Sequence, residues 1–233
     1  MRHVIVMSLT ASLWLIALFL VDLLDFYFIS LLGQTSLAAA VWYAGTLLFF
    51  TTSVSIGLSI AMGALVSKNL WAGNKSTAQE YAVYVLIFAA IVSTVMTIAM
   101  FWHSDVLIEF LWARGETLEM AQKYFHIVIL GAPIMSLAIC LSAILRSLWE
   151  AKNAMMILLI ASIVNGVLDP IFIFVFDWGL DGAALATLAS RVTMLLVAIY
   201  YVWKNKFFVW VRNICHLEHM YFFGSITAIA IPA

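Results

Sequence analysis

Six apolar runs, at 4–32, 37–67, 80–102, 120–147, 154–176 and 182–203, are each long enough to cross a bilayer, which takes about 20 helical residues. Inside hydrocarbon no water is on hand to satisfy backbone N–H and C=O groups, so a run of this kind must close its hydrogen bonds within itself, as a helix does. The expected fold class is therefore an all-α polytopic membrane protein. Composition agrees: 66% of residues are hydrophobic and 10% charged, with a mean hydropathy of +1.10, outside the range of soluble domains. A net charge of −1 leaves no basic footprint for nucleic acid.

The connections fit the same plan. Gly33-Gln34-Thr35-Ser36 and Asp177-Trp178-Gly179-Leu180-Asp181-Gly182 suit tight helix–helix turns. The segment 103–119 mixes Asp105, Glu109, Arg114, Glu116 and Glu119 with Val106, Leu107, Phe110, Leu111 and Trp112, the pattern of a short helix lying in the membrane interface. Met1-Arg2-His3 before an apolar run imitates a signal peptide. The run continues to Leu32 without a small-residue cleavage site, so it reads as a first membrane helix.

Basic residues orient the chain. Arg2, Lys68, Lys75, Arg146, Lys152, Lys204, Lys206 and Arg212 fall on one side and only Arg114 and Lys123 on the other, which puts the N-terminus in the cytoplasm. Tryptophans mark the boundaries, with Trp42, Trp102, Trp112 and Trp178 outside, Trp71, Trp149, Trp203 and Trp210 inside, and Trp14 alone within a span. Segment 204–221 reads as a cytoplasmic linker. Segment 222–233 starts a seventh apolar run too short to cross, so the sequence is expected to be a fragment or a truncated reading frame. The two cysteines, Cys140 and Cys215, form neither a disulfide framework nor a metal spacing; Cys215-His216 with His219 comes nearest and reads as a solvated loop.

Polar groups inside the spans carry the functional signal. An Asp at the centre of a membrane helix costs roughly 2.5 to 3.5 kcal/mol on insertion scales, and spanning requires none. Asn165 and Asp169, four apart in the fifth span, share a helix face beside Pro170. At about 1.5 Å per residue, Asp25 before Gly33 and Asp169 before Asp177 both lie roughly 12 Å from the outer surface. Thr187 lies about 9 Å deep, and Asp22, Asn165 and Arg191 about 15 to 18 Å. Three helices thus offer Asp25, Asn165, Asp169 and Thr187 at matching depths.

Two carboxylates close together in low dielectric need a cation or a proton between them. With the Asn and Thr oxygens they make an oxygen site for Na+, or an H+ site by protonation of an Asp. Other readings stand beside this one. Asp169 can bond backbone freed by Pro170, Thr187 can bond its own preceding turn, and Asp22 can pair with Arg191 to settle packing. Ser142 reads as a packing residue. No nucleophile elbow, zinc-protease motif or phosphate loop is present, so an enzyme is not expected.

Several stretches resemble a known family. Asp25-Phe-Tyr-Phe-Ile-Ser-Leu-Leu-Gly33 followed by Leu37-Ala38-Ala39 resembles the first-helix signature of the multidrug and toxic compound extrusion (MATE) transporters. Ala64-Leu65-Val66-Ser67 with Ala72-Gly73, Gly131-Ala132-Pro133, Leu145-Arg146, Asn165 to Phe172, and Gly182-Ala183-Ala184-Leu185-Ala186-Thr187 fall in matching order. The resemblance covers nearly the whole chain. It implies the six-helix N-terminal lobe (1–203) of a twelve-helix, two-lobe transporter, with a cation site at Asp25, Asn165, Asp169 and Thr187. It implies an H+- or Na+-coupled antiporter without organic cofactor that exports amphipathic, often cationic compounds, in a bacterial inner membrane. The C-terminal lobe is missing, so a second lobe or a second chain is the implied partner. The proline common near the start of the family's first helix is absent, and Asp22 is an additional acid. Alternatives are a lipid-linked oligosaccharide flippase of the same superfamily, whose cavity would carry several basic residues where only Arg191 lies deep here, and an inactive or assembly-dependent half transporter.

Overall fold

The computed structural model describes residues 27–31 and 35–207. A helical segment at 27–30 is followed by α1 (Thr35–Trp71), α2 (Lys75–Trp102), α3 (Ser104–Phe110), α4 (Glu116–Ile129), α5 (Ala132–Ser147), α6 (Ala151–Pro170), a π-helical turn (Ile171–Val175) and α7 (Gly179–Lys204). The all-α expectation holds. Most of the first apolar run, the stretch after 207, Cys215 and the start of the seventh run lie outside the described residues.

Four of the described helices are long and apolar enough to cross a membrane, and α4 with α5 makes a fifth crossing bent by 46°. The bend has a local cause. Gly131 and Pro133 fall at the junction, and Pro133, in the first turn of α5, lacks the N–H that would carry the ladder on from α4. Terminal charges support the helix ends. Asp181 sits in the first turn of α7 and Lys204 in its last, each opposite in sign to the helix dipole it faces. The segment after α2 is the short α3 with Val106 and Phe110 exposed, followed by exposed Trp112.

Helix α1 packs on α5, α2 and α4, while α7 packs on α6, α5 and α4. The buried contacts are rich in alanine. Ala78, Ala82 and Ala89 on α2 and Ala183, Ala184 and Ala186 on α7 are buried, and small side chains let membrane helices approach closely where lipid supplies no hydrophobic drive. Large apolar side chains such as Phe49, Phe50, Ile60, Ile91 and Val95 face outward, as a lipid-facing surface requires.

The core divides in two along the membrane normal. One cluster joins Leu58 to Val66 of α1 with Ala138 to Leu145, Ala154 to Ala161 and Met194 to Val202. The other joins Leu37 to Leu48 with Tyr124 to Ala132, Ile173 and Leu180 to Ala184. The polar residues singled out in the fifth and sixth spans lie where these two apolar masses meet.

At the C-terminal end of α6 Pro170 starts the π turn, where Phe176 N donates to Ile171 O at 3.0 Å and Trp178 N to Phe172 O at 3.1 Å. Gly182 lies against this turn so closely that a Cβ there would come within 2.6 Å of the Phe172 carbonyl oxygen. Only a residue without a side chain lets α7 begin at that distance. Gly182→Ala is expected to destabilise the protein by about 1–3 kcal/mol, as overpacking does, read as a lowered unfolding midpoint in detergent.

Candidate functional site

The site is built on α6. A spacing of four puts Asn165 and Asp169 on one face, and both are buried, at 8% and 1% exposure. The Asn165 side-chain amide donates from Nδ2 to Asp169 Oδ2 at 3.3 Å. That bond spends a donor on the acid and leaves the Asn165 carbonyl oxygen as an acceptor.

Helix α7 supplies the facing wall. The half-buried Thr187 donates its hydroxyl to Ala183 O at 3.0 Å, the back-bond to its own preceding turn, while its oxygen keeps lone-pair capacity. Ser190 repeats the pattern by donating to Thr187 O at 2.8 Å. Thr187, Ser190, Arg191, Asn165 and Ser162 line one cavity of about 300 Å³, together with Tyr124 and the apolar side chains of Leu48, Met135, Leu158 and Met194. The structure thus brings Asn165 and Thr187 to the same space, with Asp169 joined to it through the Asn165 amide. Asp22 and Asp25 lie outside the described residues.

Arg191 crosses from α7 to the break between α4 and α5. Its Nη1 donates to Val128 O at 2.7 Å, and the same carbonyl accepts from Gly131 N at 3.0 Å. This is the end of α4, where carbonyls lack their helical donors. Arg191 is the one charged side chain among the described residues that line the cavity.

Ser142, read from the sequence as a packing residue, is buried; it accepts from Arg146 Nη1 at 2.9 Å and donates to Ala154 O at 3.5 Å. Tyr124, Ser162 and Ser190 were not anticipated as cavity residues. The depth estimate contained the signal for Tyr124. It stands eight residues after Glu116, the first residue of its helix, as Asp169 stands eight before Asp177, so the same count of roughly 12 Å applies to both.

Known proteins share this fold. The MatE family model matches residues 11–171. The multidrug export protein MepA of Staphylococcus aureus (strain NCTC 8325 / PS 47) is 30% identical over 216 residues, covering 91% of this chain and 47% of that protein. A crystal structure of MATE in complex with MaD3S superposes with a TM-score of 0.85 at 28% identity, over 93% of this chain and 49% of that one. A Pyrococcus furiosus transporter of the MOP superfamily, described as having a binding pocket whose reverse polarity suggests a different function, gives a TM-score of 0.84 at 29% identity, over 93% of this chain and 48% of that one. The chain spans about half the length of the curated relatives it matches.

The Asn165–Asp169 contact makes a measurable prediction. Hydrogen bonds between side chains in membrane proteins average about 0.6 kcal/mol and reach about 1.7, and one to a carboxylate belongs in the upper part of that range. A double-mutant cycle of Asn165→Ala and Asp169→Ala, read by unfolding in detergent, is expected to give a coupling energy of about 1 kcal/mol.

Proposed function

The chain belongs to the MatE family, and from that premise we propose that it forms the N-terminal lobe of a cation-coupled antiporter exporting amphipathic or cationic drugs and toxic compounds. The observation that carries the proposal is the buried Asp169, bonded to Asn165, beside a cavity that Asn165 and Thr187 line. A carboxylate at that depth is costly unless it binds something. A wall of hydroxyl and amide groups set among Tyr124 and two methionines gives amphipathic compounds both polar and adaptable apolar contacts.

In this proposal H+ or Na+ is the co-transported substrate and enters from the outer side. It binds at Asp169 with Asn165, Thr187 and Asp25 of the first span. Occupation by the ion changes the packing of the first helix and weakens the hold on the exported compound, which leaves outward. Linkage makes the effect mutual, since bound compound must weaken ion binding by the same factor. One charge moving through 100 mV supplies about 2.3 kcal/mol toward export.

The same reading places residues 1–203 in the lobe, 204–221 in a cytoplasmic linker and 222–233 at the start of a seventh helix, with the N-terminus in the cytoplasm of a bacterial cell and the spans in its inner membrane. The other half of the transport path belongs to a second six-helix lobe or to a second chain. The flippase alternative finds one basic side chain, Arg191, among the described residues of the cavity wall, where a path for anionic lipid-linked sugars calls for several.

Ethidium export by cells expressing the complete gene product, driven by a pH or Na+ gradient, tests the proposal. Asp169→Asn keeps the shape and removes the charge, and is expected to cut gradient-dependent export at least tenfold. Unchanged, ion-dependent export in that variant would remove Asp169 from the mechanism.

A further inference from the structure

Arg191 is not used in the coupling scheme, yet its surroundings are shaped around it. A Cβ at Gly131 would fall 2.7 Å from Arg191 Cδ and 3.2 Å from its Nη1. The glycine therefore opens the slot through which the arginine arm reaches the broken end of α4. There the Nη1 bond to Val128 O fixes the guanidinium against the cavity wall. A guanidinium has five N–H donors in a rigid fork; this anchoring bond uses one of them, and the Tyr124 phenol lies close enough to interact with the charge.

A cation withdrawn from water calls for an anion or a set of acceptors. The other described residues lining the cavity are neutral. Among the described residues Lys123–Asp181, at 2.5 Å, is the ion pair, and it lies at the outer ends of α4 and α7. Asp169 takes the Asn165 amide and is not part of the cavity wall. The planar fork matches a carboxylate, which it can hold through two parallel hydrogen bonds.

We infer that Arg191 is a specificity-determining residue of the cavity and receives the carboxylate of zwitterionic or anionic amphipathic compounds, whose apolar body lies against Tyr124, Met135 and Met194. This rests on the drug-export reading and sharpens its substrate class. It also assigns a purpose to Gly131, which keeps the arm in position.

The test is equilibrium binding of norfloxacin, a zwitterion, and of its methyl ester, which keeps the cationic ring but lacks the carboxylate, to the purified full chain in nanodiscs. Arg191→Met is expected to weaken norfloxacin at least tenfold while the ester changes less than twofold, because a hydrogen-bonded charge pair is lost in one case only. Arg191→Lys, which keeps the charge without the fork, is expected to fall between. Gly131→Ala, which pushes on the arm without touching its charge, should reproduce the selective loss in weaker form. If Arg191→Met does not fold, the last two variants decide by the same selectivity.

Equal losses for both compounds, or no loss for either, overturn the inference; the second is the outcome if Asp22 of the first span holds the guanidinium. The same binding is measured on the complete gene product, and its failure there, unsubstituted, to bind either compound overturns the drug-export reading and this inference with it. Binding of both with no dependence on Arg191 overturns this inference alone.

Discussion

A carboxylate buried inside an apolar helix bundle has to be satisfied from within the protein, and the arrangement around Asp169 follows from that requirement. Asn165, one turn earlier on the same face, donates its amide to the acid. Pro170 follows immediately and cannot donate, so the helix leaves its regular ladder for a π turn whose bonds resume at Phe176 and Trp178. The widened turn presents the Phe172 carbonyl to Gly182, and the absence of a side chain there sets how near α7 begins. Because α7 starts so close, Thr187 and Arg191, four residues apart on one face, reach the cavity that Asn165 lines.

A second broken helix closes the space from the other side. The bend between α4 and α5 frees the end of α4, and Arg191 serves its Val128 carbonyl across the cavity wall. Both interruptions fall within apolar segments; the π turn buries Ile173 and lies against Gly182 while Phe174, Val175 and Phe176 stay exposed. The cavity lies between the two apolar clusters that hold α1 to α5 and α7 to its neighbours. In the proposed cycle an ion and an exported compound weaken each other's binding there.

The sequence displayed the spans plainly, because a bilayer leaves long apolar runs few alternatives to the helix. It displayed the Asn165–Asp169 pair too, since a spacing of four within one helix fixes their mutual placement. What it concealed depends on contacts between helices. Depth could be counted along each span, but rotation about its axis could not, so Arg191 stood level with Asp22 in the count while its path is set by Gly131 of another span. Hydropathy ran unbroken from 120 to 147 although Gly131 and Pro133 lay within, and the 46° bend is a property of the backbone rather than of apolarity. Thr187 satisfied two readings together, for it bonds its own turn and faces the cavity. Asp25, the acid expected from the first span, lies outside the described residues.

The central claim is that the Asn165–Asp169 patch and the cavity are coupled as ion site and compound site. The most direct measurement is the affinity of the purified protein for ethidium as pH and Na+ concentration are varied independently. Coupling predicts that affinity falls as one of the two ions becomes bound and levels off, at least tenfold lower, once that ion's site is saturated. An ethidium affinity that stays constant across both titrations contradicts it.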